Sequence, residues 1–463
     1  MKLKRKADLA MGAFLCACLI PSVGMFLLPE EPAAANQNLA PPPSLATQGG
    51  GINLHVLDEA ADYIEDHFAL RQRLITANAA LEAALFQTSA QDSVLLGREG
   101  WLFYRETVDG YLRTAPLSGR ELSGAARTLG LLTEYARNHG AALSFTVAPN
   151  KVSLYPQYLP YVGRPLEGED DIDRLIPLLE ANGVAYADLF TPFRAEDEVL
   201  YHAADSHWTN RGAALAHDTL VSALGLEGRA QWYVQPGRTE RVHRGDLYEM
   251  LYPMGTALEE DTAFDRPFSF SYTRPIRSAE DQRVETENPG QEGNLLMFRD
   301  SFGNTLHLFM AEEYGQALFS RSMPYQMSLL EETGADTVVI EIVERNLSYL
   351  ARRAPIFPAP LRVLSGEPGQ GEAAARLTAA EDGALEGHIR LEGALSGPVD
   401  VDSPVYVQVG DALYEASPVG TAEEGEAPFT LYVPSDSTLD EIRVLYLLDG
   451  QLLWAGQVDS DYK

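Results

Sequence analysis

Cysteine is nearly missing from this chain. Two of its 463 residues are cysteine, Cys16 and Cys18, and both fall in an N-terminal apolar segment. The body therefore has no disulfide, no thiol chemistry and no cysteine-based zinc site. Positive charge is the second shortage: 35 Lys and Arg stand against 67 Asp and Glu, a formal charge of -32. That balance argues against binding DNA or RNA through phosphates. It argues equally against a peripheral dock on anionic lipid, except at the extreme N-terminus, and otherwise reports solubility rather than fold. Internal repeats in the roughly 20–50-residue range of solenoids and propellers are also absent.

The length suffices for two or three domains with a large core, and a hydrophobic content of 45% is ordinary for a globular chain. Lys2, Lys4, Arg5 and Lys6 precede an apolar run from Ala7 to about Leu28, the pattern of an export signal. The run is closer to the roughly 20 residues of a spanning helix than to the shorter core of a cleavable signal. Residues 1–28 are therefore expected to be an uncleaved single-pass anchor, with the body outside the cytoplasmic membrane. The alternative is secretion after cleavage near Ala33-Ala34-Ala35. Residues 29–53, rich in Pro, Ala, Asn, Gln and Gly, read as a flexible linker.

Residues 54–353 form the next unit. Helical spacing runs from Leu57 to Phe86, and Val94 to Tyr104 reads as a hairpin turning at Gly97 to Gly100, with Trp101 in the core. Helices and short apolar strands then alternate. Leu143–Val147, Val184–Leu189, Leu295–Phe298 and Asp336–Ile342 are the strands. Ser118–Asn138, Asp171–Asn182, Arg211–Leu224, Asn304–Tyr314 and Tyr325–Thr333 are the helices. This order predicts an α/β fold, a parallel sheet flanked by helices. Val234 to Gly293 breaks the alternation and is expected to frame a substrate groove. Residues 354–463 switch to short alternating runs, with Asp449-Gly450 as a hairpin turn, and predict a β-sandwich-like domain.

Two stretches carry chemistry. Met297-Phe298-Arg299-Asp300-Ser301-Phe302-Gly303-Asn304 places Ser301 on a strand-to-helix turn, beside free helix N–H groups able to stabilise an oxyanion. Asp205-Ser206-His207-Trp208 supplies a base. In an extended segment Asp205 and His207 point to one side, so that Asp205 can hold one ring nitrogen while the other faces Ser301. Both stretches follow strands, and parallel strands would bring them to one carboxyl edge. A metal at His202, Asp205 and His207 is the competing use of these side chains. His217, His243 and His307 read as structural or exposed.

These motifs, with Asp66-His67-Phe68-Ala69-Leu70-Arg71, Gly97-Arg98-Glu99-Gly100-Trp101-Leu102-Phe103, Pro149-Asn150-Lys151, Tyr155-Pro156, Gly212 and Gly245-Asp246-Leu247, resemble the SGNH-hydrolase-like proteins of alginate acetylation and the related DHHW-type proteins. The resemblance covers about residues 55–350. It implies Ser301 as nucleophile, His207 as base and Asp205 as orienting carboxylate. It also implies a circularly permuted SGNH-hydrolase-like sheet, because Asp205 and His207 precede the serine. Arg345 and Asn346, together with Asn150 and Lys151, become the oxyanion or substrate candidates. Ser206 stands where DHHW relatives carry His. The implied activity is transfer of an acyl group, usually acetyl, to a hydroxyl of a cell-surface or exported polysaccharide. No cofactor or metal is implied, and a membrane-bound O-acyltransferase is the implied donor partner. A carbohydrate O-acetyl esterase and a non-catalytic scaffold that binds polysaccharide or acyltransferase are the alternatives.

Overall fold

The computed structural model describes residues 11–12, 14, 21, 23–25, 27–28, 39–47, 50–226, 229, 231–364, 366–380, 383–439 and 441–461. Most of the expected anchor lies outside these residues, as do 29–38 and 48–49 of the expected linker. Among the described residues no helix is long and apolar enough to cross a membrane.

The helical pattern of Leu57 to Phe86 resolves into two helices, Val56–His67 and Arg71–Phe86. They part at Leu70, whose φ of 66° is left-handed and cannot continue a right-handed helix. Spacing alone does not show that break, since the apolar positions continue across it. A two-stranded ribbon follows, β1 (Val94–Leu96) against β2 (Leu102–Tyr104). Trp101 between them is buried and stacks on Tyr158 at 4.2 Å. The helix Gly119–Asn138 starts at a capping box, in which Ser118 Oγ accepts from the Glu121 N–H and the Glu121 carboxylate accepts from the Ser118 N–H.

The body is organised by β3 (Ala142–Ala148), β4 (Ala185–Ala187), β7 (Ser271–Tyr272), β8 (Arg283–Glu287), β9 (Asn294–Phe298), β10 (Gln316–Ser320) and β11 (Thr337–Val343), after β5 (Gly237–His243) and β6 (Glu259–Phe264), which pair as a separate hairpin. The sheet has seven strands in the order β4-β3-β11-β9-β10-β8-β7. From β4 to β10 all pairings are parallel. The two edge strands β8 and β7 are antiparallel, so the sheet is mixed at one edge. Counted from β9, the parallel strands run 2-1-3-4-5, a common order of open α/β sheets. The chain enters that order at its fourth strand, which is the circular permutation in structural terms.

Alternation along β9 and β11 shows why their sequences are continuously apolar. Leu295 and Met297 join one core, Leu296 and Phe298 the other. Val339 and Val343 face the first, Val338, Ile340 and Ile342 the second. A strand covered on both faces has no polar side to show, and each such side chain contributes about 1.5–3 kcal/mol by leaving water. Glu341 is the exception in this run, and it lies under the site.

Beyond the helix Leu347–Arg352 the chain becomes all strand. Its strands are β12 (Gly369–Gln370), β13 (Ala374–Ala380), β14 (His388–Ser396), β15 (Val405–Val409), β16 (Ala412–Ala416), β17 (Ala427–Pro434), β18 (Ile442–Leu448), β19 (Gln451–Trp454) and β20 (Gln457–Asp461). One sheet has the order β12-β19-β18-β15-β16, and the other β17-β14-β13-β20. They face each other across one core containing Leu391, Val407, Phe429, Leu431, Val444 and Tyr446. The turn Asp449-Gly450 has both residues at positive φ, as a two-residue hairpin requires, and joins β18 to β19. Arg362 bridges the two parts of the chain, donating to Glu134 at 2.6 and 2.7 Å and to Glu415 at 2.7 Å.

Candidate active site

β9 and β11 are parallel neighbours, so their carboxyl ends lie side by side at one edge of the sheet. At the end of β9 the residues Arg299 to Phe302 turn into the helix Gly303–Met310. Asp300 builds this turn. Its Oδ1 accepts from the Phe302 N–H at 2.9 Å, and its Oδ2 from the Val343 N–H at 2.7 Å and the Asn346 amide at 3.3 Å. The turn is thereby tied to the end of β11, and Ser301 is presented at that edge. The helix starts on the same side, with the Asn304 N–H on the Ser301 carbonyl at 3.1 Å. Among the described residues the Ser301 N–H has no backbone acceptor.

Glu341 closes the turn from below. The Asp300 N–H donates to its Oε2 at 3.1 Å, and the side chain is 1% exposed. Burial, and then the charge of Asp300, push its carboxyl well above the usual range. A folded pKa above the unfolded value of about 4.3 means that folding takes up a proton. The linked stability is complete below the unfolded value and is lost as pH rises through the folded one. Glu341→Gln keeps the acceptor and removes the ionisation. Thermal melts should show the variant more stable than wild type at pH 8, with the advantage shrinking toward pH 5. An advantage independent of pH would refute the linkage.

The expected base, His207, lies in the loop that precedes the helix Asn210–Ala223. His207 Nε2 lies 2.8 Å from Ser301 Oγ, and its Nδ1 lies 2.7 Å from Asp205 Oδ1. Asp205 accepts the Nδ1 proton, so Nε2 is the free acceptor for the serine hydroxyl. Asp205 Oδ1 also accepts from the His207 N–H at 2.8 Å, fixing the two-residue step. Burial works against both charges. It would raise the Asp205 pKa, but the charge of His207 and hydrogen bonds from His207 and His243 hold it well below the usual carboxylate range. It would lower that of His207, but the charge and hydrogen bond of Asp205 outweigh it and hold the imidazole above its usual value. The arrangement can deprotonate Ser301 and stabilise the imidazolium that results.

This loop is braced from several sides. Lys151 reaches up from the end of β3 and donates to the carbonyls of His202, Ala203 and Asp205 at 3.1, 2.9 and 2.5 Å. Glu259 of β6 accepts from the N–H groups of Ala203 and Ala204 at 2.7 and 2.9 Å. Asp246 accepts from the Ser206 N–H at 2.7 Å and from its hydroxyl. Two glycines permit the close approach: a Cβ on Gly245 would stand 2.2 Å from the Ala204 carbonyl oxygen, and one on Gly212 2.5 Å from that of Leu200. Residues of the long stretch expected to frame a groove thus brace the loop of His207.

The other sequence candidates divide. Arg345 sits beside the turn that carries Ser301, its guanidinium 5.6 Å from the ring centres of both Phe302 and Tyr104. Asn346 meets the turn through Asp300. Asn150 is buried, with its N–H on Glu344 at 2.7 Å. Burial raises the Glu344 carboxyl to about 7. Lys151 corrects the expectation of a substrate contact: it is 4% exposed, and its three donors are used on backbone carbonyls. His243, read as structural or exposed, touches the triad: its Nε2 lies 2.8 Å from Asp205 Oδ2. Its place two residues before Gly245-Asp246 was the available signal. His217 is buried between Asp218 and Glu313, and His307, lowered to about 4 by burial, is neutral.

Among the described residues two groupings bring three donors within chelating range, His202 with His243 and Asp261, and Asp205 with His207 and Asp246. In the first, the two imidazoles stack at 3.8 Å with planes 10° apart, so one ion cannot lie in both ring planes as nitrogen ligation requires. In the second, both nitrogens of His207 are engaged with Asp205 and Ser301. Neither is arranged as a metal centre.

Residues 94–267 match the family model described as the SGNH hydrolase-like domain of the acetyltransferase AlgX. No curated protein matches significantly. Among solved structures, the O-acetyltransferase domain of Pseudomonas putida AlgJ is 19% identical, covering 55% of this chain and 92% of its own, with a TM-score of 0.38. A DHHW family protein of Eubacterium siraeum is 18% identical, covering 55% and 95%, with a TM-score of 0.41. Pseudomonas aeruginosa AlgX is 14% identical, covering 82% and 98%, with a TM-score of 0.37.

Proposed function

We propose that this chain, with its SGNH hydrolase-like segment, is an extracytoplasmic serine-dependent O-acyltransferase that moves an acyl group, acetyl by preference, to a hydroxyl of a cell-surface or exported polysaccharide. The observation that carries the reading is the hydrogen-bonded line Ser301–His207–Asp205 at the carboxyl edge of the sheet. The match of residues 94–267 to an acetyltransferase domain supports the choice of acyl group.

In the first half-reaction Ser301 Oγ attacks the carbonyl carbon of the donor while His207 Nε2 takes its proton. Asp205 stabilises the imidazolium, and the Ser301 N–H with the helix N-terminus faces the oxyanion. The leaving group departs with the proton from His207. In the second half-reaction His207 deprotonates the acceptor hydroxyl, which attacks the acyl-serine and frees Ser301. With water in place of the sugar, the same steps make an esterase. The N-terminal basic cluster and apolar run support a body held outside the cytoplasmic membrane. That location suits a donor carried by a membrane-bound O-acyltransferase.

The test is intact-mass spectrometry of the protein with p-nitrophenyl acetate, with and without glucan, mannuronate or glucosamine oligomers, beside His207→Ala. One acetyl mass on the protein and an acetylated oligosaccharide, both lost in the variant, are the expected result. Acetate release alone, whatever acceptor is offered, would make the protein an esterase. No adduct and no turnover would leave the scaffold reading.

A further inference from the structure

We propose that His243 is a positioning residue for the triad: held on the second oxygen of Asp205, it sets the pH below which His207 ceases to act as a base. The proposal rests on the assignment of Ser301 and His207 above. It goes beyond that assignment by giving a role to a histidine from a different part of the chain.

Asp205 is shared between two imidazoles. Oδ1 receives His207 Nδ1 at 2.7 Å, and Oδ2 receives His243 Nε2 at 2.8 Å and the Asp246 N–H at 2.9 Å. His243 lies at the end of β5, in the hairpin that β6 completes. Its ring packs flat on that of His202, which is 3% exposed and lies 3.4 Å from the Asp261 carboxylate. His243 thus cannot swing away from Asp205 without losing this stack. The ring keeps 31% of its side chain exposed, so protons reach it from solvent although Asp205 itself is buried.

The electrostatic consequence follows from sharing one carboxylate. The charge of Asp205 favours a proton on either ring, but the first proton to arrive neutralises it and disfavours the second. The groups facing His243 are Asp205 and His202 from the loop, Glu259 and Asp261 from β6, and the neighbouring Arg244 and Asp246. Burial opposes its charge, while the hydrogen bond and charge of Asp205, then Asp261 and Glu259, outweigh burial and raise its pKa. A protonated His243 therefore lowers the affinity of His207 for its own proton. His207 stays a competent base to lower pH than an isolated Asp–His pair allows.

The pH dependence of kcat/KM for p-nitrophenyl acetate tests this in the full chain, with His243→Gln and His243→Leu. Gln keeps an N–H donor near the Nε2 position and cannot be protonated. It should retain the plateau within about threefold and move the acid limb upward by roughly half to one pH unit. Leu should move the limb likewise and also lower the plateau, because Asp205 loses a donor. A limb that stays in place in both variants, with only the plateau reduced, would reduce His243 to packing and overturn the proposal. If wild type itself shows no turnover dependent on His207, it is the underlying assignment that fails.

Discussion

Ser301→Ala lowers acyl transfer and ester turnover together by about four to six orders of magnitude and leaves the melting temperature within about 2 °C of wild type. The stability cost is small because the lost atom makes a single hydrogen bond, to His207 at 2.8 Å, at a partly exposed position. Such a bond is worth about 0.5–1.5 kcal/mol. The catalytic cost is large because every proposed covalent step passes through Oγ. Four to six orders correspond to roughly 5–8 kcal/mol of transition-state stabilisation. Burst kinetics and intact mass read the acyl-serine directly, and calorimetry reads the fold. Retention of more than about a hundredth of wild-type transfer would mean that another residue carries the acyl group.

Lys151→Ala should be the most damaging substitution outside the triad. The ammonium is buried, and its pKa is lowered to about 8 by burial despite the attraction of Asp205, Asp246 and Glu259. It lies 5.4 Å from the ring centre of Trp101 and 5.2 Å from that of Phe103, which walls it off from water. Alanine takes the ammonium from the carbonyls of His202 and Asp205, while that of Ala203 keeps the Leu102 N–H at 2.8 Å. A buried unsatisfied acceptor costs about 1–3 kcal/mol. Relief of the ammonium's own desolvation offsets part of the sum, so a loss of about 2–4 kcal/mol is expected by denaturant unfolding. The loop also carries His207, and a displacement of about 1 Å there lowers kcat by about 100-fold. Lys151→Met keeps the stem against the two rings without the donors, and should recover part of the stability and little of the activity. A fully active Lys151→Ala protein would show that the carboxylates of Glu259 and Asp246 hold the loop unaided.

The bracing of that loop also explains what the hairpin of β5 and β6 does for the base. Glu259 and Asp246 accept from three N–H donors of the loop, those of Ala203, Ala204 and Ser206. Burial and the charge of Asp205 raise the Asp246 carboxyl. The hairpin and the triad are therefore one electrostatic unit, assembled from segments separated by dozens of residues.

Much of this was legible in the order of residues. Continuous apolar runs at Leu295 to Phe298 and Asp336 to Ile342 predict strands covered on both faces, because only such strands lack a polar side. The two-residue step from Asp205 to His207 predicts a shared orientation, and the structure holds the pair by two hydrogen bonds. Serine after a strand predicts a turn at a sheet edge. What was not legible required distant partners. β10, the five residues after Gly315, was not among the expected strands, and it is held by β9 and β8, which bond it on both sides. The helix after Ser301 ends at Met310 rather than Tyr314, and Leu70 breaks a pattern that spacing would continue. Lys151 was a candidate through the Pro149-Asn150-Lys151 motif, and nothing in that motif shows the three carbonyls that converge on its buried ammonium. His243 looked incidental because nothing local pairs it with Asp205. Local pattern by itself determined the strands, the turn and the two-residue acid–base step, since those depend on neighbours in the chain. The second partner of Asp205 and the seat of Lys151 were decided only by tertiary structure, since a buried charge takes its place from whichever groups the fold brings within about 3 Å.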